Sequence, residues 1–86
     1  MEFNWEEFIG NKTLGVLCKT YEEAKAFCDM MHARGLKWAG GQPYNTYRHC
    51  TRYPGKLVFL GNGLFWEEDL AKVAGYTILT FSDYFN

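Results

Sequence analysis

Short apolar runs broken by glycine and polar turns mark out the elements of this chain. Over residues 13–19 (TLGVLCK), Leu14, Val16 and Cys18 fall on one side and Leu17 on the other, the period-two pattern of a strand. Gly15 within it weakens the strand or permits a close approach. Thr20-Tyr21-Glu22-Glu23 then reads as a capping box, with the threonine hydroxyl accepting from the Glu23 amide and the Glu23 carboxylate returning to the cap amide. Ala24, Phe27, Cys28 and Met31 recur at helical spacing, so a helix is expected over residues 21–34. Gly35 suits the position after its end, with Leu36 closing a Schellman contact.

Residues 37–42 (KWAGGQ) read as a loop, and residues 43–51 (PYNTYRHCT) as a β segment that begins at, or runs along an edge from, Pro43. Tyr53-Pro54-Gly55 is a turn. The apolar run at residues 57–60 (LVFL) predicts a central strand, Gly61-Asn62-Gly63 a hairpin turn, and residues 64–66 the returning strand. Glu67-Glu68-Asp69 opens a short helix with Leu70 and Val73 facing inward and Gly75 ending it. Residues 76–81 (YTILTF) form the last strand, followed by a short aromatic tail. Residues 1–12 form an N-terminal arm or short helix around Phe3, Trp5 and Phe8. The expected fold is a single α+β domain over residues 1–86, with a small, mostly antiparallel sheet, two helices on one face, and the order β-α-β-β-β-α-β.

Composition changes this picture in one respect. Phe, Trp and Tyr make up 19% of the 86 residues, while a domain of this size buries only roughly 60% of its unfolded surface. Some of these rings are therefore expected at a contact surface. The three cysteines, Cys18, Cys28 and Cys50, form no CxxC pair and read as free thiols of a cytoplasmic protein. The acidic, aromatic start resembles neither a signal nor a transit peptide, and no apolar run approaches a membrane span.

Charge is segregated along the chain. Residues 30–66 hold Arg34, Lys37, Arg48, Arg52 and Lys56 but no Asp or Glu, so this stretch carries +5 and the flanks −6, for a net charge of −1. Cationic groups among rings suit an anionic partner with flat or phosphorylated parts, or an acidic patch on another protein. The candidate site is Lys37, Trp38, Tyr44, Tyr47, Arg48, His49, Arg52 and Tyr53. The plain reading, tyrosines filling a sheet beside solvated arginines, stands next to it. Nonspecific binding to duplex nucleic acid favours a more basic protein than this one.

Other chemistry is weaker. Cys28 and His32 lie one helical turn apart, but adjacent strand residues such as His49 and Cys50 point to opposite faces and do not complete a zinc set. The same geometry argues against a Cys50–His49 nucleophile pair. Glu22-Glu23 and Glu67-Glu68 are explained by helix N-terminal charge, and Gly61-Asn62-Gly63 is too short for a phosphate loop. No catalytic set converges and no cofactor is implied. The acidic clusters at Glu2, Glu6, Glu7 and at Glu67, Glu68, Asp69 offer a phosphate-mimicking surface, or simply solvated helix starts.

The pieces Tyr21-Glu22-Glu23-Ala24, Phe27, Gly35-Leu36-Lys37-Trp38 and Gly40 resemble the first half of small α/β proteins of phages and prophages. Leu64, the short helix, Gly75-Tyr76, Ile78 and Phe81-Ser82-Asp83 resemble their second half. The resemblance implies an accessory role that blunts a bacterial defence system in the host cytoplasm, as an anti-CRISPR-like inhibitor does. It supplies no functional residues, and residues 41–57 have no counterpart in it. Three readings are carried forward: a noncatalytic inhibitor contacting a host defence protein or complex, a small protein sequestering a nucleotide, and an enzyme built on Cys50 or His49. In the second, Trp38 and Tyr47 stack on the base while Arg48 and Arg52 meet phosphates. The oligomeric state is open.

Overall fold

The computed structural model describes residues 2–11, 13–46 and 56–85. Its elements are α1 (Trp5–Gly10), β1 (Leu14–Cys18), α2 (Tyr21–Ala33), β2 (Leu57–Leu60), β3 (Phe65–Glu67), α3 (Glu68–Val73) and β4 (Thr77–Thr80), then one 3-10 turn (Phe81–Asp83). The α+β class holds, with three helices in place of two and a mixed sheet in the order β3-β2-β1-β4. β1 pairs antiparallel with β2 and parallel with β4, while β3 pairs antiparallel with β2. Most of the β segment expected at residues 43–51 lies outside the described residues. Where it is described, Pro43 makes one isolated bridge to Lys37 and Tyr44 enters a turn.

The local chemistry at the helix ends accounts for their limits. Asn4 caps α1 by accepting from the Glu7 amide at 3.0 Å. Thr20 caps α2 through its hydroxyl, 3.1 Å from the Glu23 amide. The Glu23 carboxylate returns not to the cap amide but to the Lys19 amide one residue earlier, at 2.9 Å. α2 stops at Ala33, with Arg34 as its cap residue. Gly35 adopts φ +79°, its amide donating to His32 O at 3.0 Å and the Leu36 amide to Met31 O at 3.0 Å. That is the Schellman closure, and Gly75 and Tyr76 repeat it after α3.

Both faces of the sheet are covered. On one, Leu14, Val16, Cys18, Leu57 and Phe59 pack with Phe8 of α1, with Ala24, Phe27, Cys28 and Met31 of α2, and with Phe81. On the other, Leu17, Val58 and Leu60 meet Ala71 of α3, flanked by Trp66, Tyr76 and Ile78. α3 therefore lies opposite α2, contrary to the expectation of helices on one face. Ala71 is its buried residue, whereas Leu70 is 54% and Val73 86% exposed. In a six-residue helix whose small alanine sits against the sheet, positions 70 and 73 share an outward side. All nine residues of β1 and β2 are consequently buried.

α1 crosses the β2–β3 hairpin at backbone distance. A Cβ placed on Gly61 lies 2.1 Å from Phe8 O and 2.8 Å from Ile9 Cα. Gly61→Ala is expected to destabilise the protein by about 1–3 kcal/mol through overpacking. Gly10→Ala, where nothing lies within 4 Å, is expected to be neutral or to stabilise by about 0.5–1 kcal/mol. Urea unfolding midpoints of the two variants measure the contrast.

Candidate partner-binding surface

Of the residues proposed from sequence, three are described. Lys37 is exposed, but Trp38 is only 6% and Tyr44 only 1% exposed. Tyr47, Arg48, His49, Arg52 and Tyr53 lie outside the described residues. Trp38 and Tyr44 are thus core residues and present no ring to an external base or partner. The local fold explains their burial. The Trp38 amide donates to Gln42 O at 2.9 Å and the Gly41 amide to Trp38 O at 2.8 Å, while Ala39 N donates to Gly63 O at 3.0 Å. This tight loop is clipped to the hairpin and lays Trp38 against Phe59 and Phe65, with Tyr44 4.4 Å from Trp38 between ring centroids. With α2 covering only part of the sheet, the rings complete its apolar layer.

The Tyr44 phenol is held well above its ordinary pKa, first by burial and then by the neighbouring Cys28 thiol. Cys28 is buried while His32, one turn on, is exposed, so the pair does not face one site. Among the described residues no group of three His, Cys, Asp or Glu side chains is placed to hold a metal ion. At the start of α3, Glu68 accepts from Lys72 at 2.7 Å and raises its pKa by that hydrogen bond and by charge. The pair is exposed enough that its contribution to stability is small. Glu68 and Asp69 occupy the first turn of this helix, where negative charge is favoured.

The structure also brings together groups that the sequence left apart. The guanidinium of Arg34 sits 4.3 Å above the Trp5 ring centroid. Phe27 stacks on the same indole, parallel to within 14° at 5.5 Å between centroids. Trp5 and Arg34 line an open cleft of about 490 Å³ together with Glu2 and Glu6. Such a stack holds a cation in one place with little loss of hydration. A second cleft, of about 240 Å³, lies beside β4 between Glu2, Glu7 and Tyr84, with Leu14 and Leu79 among its lining. A third, of about 200 Å³, opens between the Trp38 loop and the hairpin, next to the 48%-exposed Leu64.

What these places offer is shape, charge and exposed apolar surface. Comparison with protein-family models, with curated proteins and with solved structures finds no match. Among the described residues, no helix is long and apolar enough to cross a membrane.

The buried phenol makes alkaline stability a test of this packing. Its folded pKa is raised above the ordinary value of 10.0, so the unfolded chain loses that proton first as pH rises. Stability is full below about pH 10 and falls above it, by up to about 1.4 kcal/mol per pH unit. Tyr44→Phe should lower stability at neutral pH yet flatten this decline. Denaturation followed at pH 8, 10 and 11 distinguishes the two slopes.

Proposed function

We propose that this protein acts without catalysis, as a phage-type accessory protein that binds and inhibits a bacterial defence component in the host cytoplasm. The observation that carries the contact reading is the outer side of α3, where Leu70 and Val73 stand in solvent next to each other. Neighbouring apolar side chains on a rigid helix suit a docking surface, since burying each against a partner gains on the order of 1.5–3 kcal/mol. Their exposure is not needed by the fold, because Ala71 alone fills the inward position. The defence role rests on the likeness of Tyr21-Glu22-Glu23-Ala24, Gly35-Leu36-Lys37-Trp38, Gly75-Tyr76 and Phe81-Ser82-Asp83 to phage proteins. The nucleotide reading is weakened, because Trp38 is enclosed in the core.

The test is capture of a partner from bacterial lysate by the wild type and by a Leu70→Asp/Val73→Asp double variant. The variant should keep its melting temperature, as neither side chain is buried, and lose the partner by at least about tenfold. Retention of the same partner would remove α3 from the interface. A melting-temperature rise with a linear or cyclic nucleotide would favour the sequestering function instead.

A further inference from the structure

We infer that the outer edge of β4 takes up an extended, positively charged strand of a partner protein. The inference rests on the contact reading above and assigns it a second surface.

The sheet order leaves β4 at an edge, with β1 on its inner side and no described strand on its outer side. The Thr77 amide donates to Thr13 O at 2.8 Å. Parallel pairing repeats every second residue, so Thr77 and Leu79 turn their backbone groups toward β1. The N–H and C=O of Ile78 and Thr80 therefore point outward. An edge of this kind is commonly blunted by lysine, proline or a bulge. Thr77-Ile78-Leu79-Thr80 has no charge, no proline and two β-branched threonines flanking an isoleucine and a leucine. It is suited to pair.

The neighbouring cleft sets the character of the occupant. Leu14 and Leu79 supply its apolar lining, Tyr84 closes one side, and Glu2 and Glu7 bring two carboxylates; among the described residues no Lys or Arg lines it. A strand laid along β4 points every second side chain to this face of the sheet. Lysine or arginine at those positions lies over an apolar floor with its charge toward Glu2 and Glu7, which suits a long stem with a charged tip. Backbone pairing supplies affinity and the alternate side chains supply specificity, as in other cases of strand addition.

The probe is a blocked hexapeptide of alternating lysine and valine, set against its glutamate–valine counterpart. Amide hydrogen exchange of the full chain is followed by NMR. In the protein alone the Ile78 and Thr80 amides should exchange readily, and millimolar lysine peptide should slow both by about tenfold or more. The glutamate peptide should leave them unchanged, and Glu2→Gln/Glu7→Gln should erase the difference between the peptides. Protection of both amides without peptide, or equal slowing by both peptides, overturns the inference. Protection that grows with protein concentration alone identifies a second copy as the occupant and also overturns it.

A Thr80→Pro variant separates this inference from the contact reading. The Thr80 amide is the outward donor, which proline removes; Thr80 has φ −99°, beyond the roughly −65 ± 15° of a proline ring, so the variant is scored only with its melting temperature unchanged. If a lysate partner lost by the α3 double variant is kept by Thr80→Pro, α3 is the interface and β4 is not. If no partner is captured but the peptide result holds, the edge stands and the defence reading falls.

Discussion

Phe27 is the side chain through which the rest of the structure is joined. It projects from the middle of α2, and its ring meets Phe3, Trp5 and Phe8 from the N-terminal segment at 6.0, 5.5 and 5.5 Å. Phe59 of the sheet and Phe81 and Phe85 of the C-terminal segment complete its surroundings at 5.7 to 6.1 Å. Edge-to-face and stacked pairs add about 0.5–1.5 kcal/mol each beyond area burial, which matters in a domain with so little interior. The N-terminal arm is thus fixed to the body by ring contacts more than by backbone pairing. Arg34, over the Trp5 ring, links the same cluster to the surface.

The second constraint is the closeness of layers. Gly15 of β1 faces Val58 and Leu60, and a methyl group there would approach Val58 Cγ1 to 2.4 Å. Ala71 brings α3 near on that same side. Gly15 and Ala71 on one face and the ring cluster around Phe27 on the other make a three-layered unit whose central strands are apolar at every position. Its surface features follow from that economy. A helix that contributes one alanine to the core leaves its leucine and valine outside, and a sheet of four strands leaves β4 at a border.

How far the sequence revealed this depends on the range of the interaction. The cap at Thr20, the glycine stop at Gly35, the hairpin at residues 61–63 and the buried run at residues 57–60 are set by neighbours along the chain, and each was legible. The parallel pairing of β1 with β4 joins distant segments, and no local pattern encodes it. The same holds for Arg34 on Trp5. Leu70 and Val73 looked inward because apolar identity was read as burial, yet in so short a helix one alanine filled the place. Charge context places Trp38 among exterior groups and leaves Tyr44 open between that and filling the sheet. Their burial follows from how much of the sheet α2 leaves uncovered, a quantity the sequence does not display. The remaining residues of that basic stretch, from Tyr47 to Tyr53, lie outside the described part of the chain.

The ring pair Phe3 and Phe85, with centroids 5.2 Å apart, has a topological corollary. Segments near the two extremities of the described chain meet there, so a short linker between them would close the polypeptide into a circle at small entropic cost. New ends opened at an exposed turn would then preserve every layer.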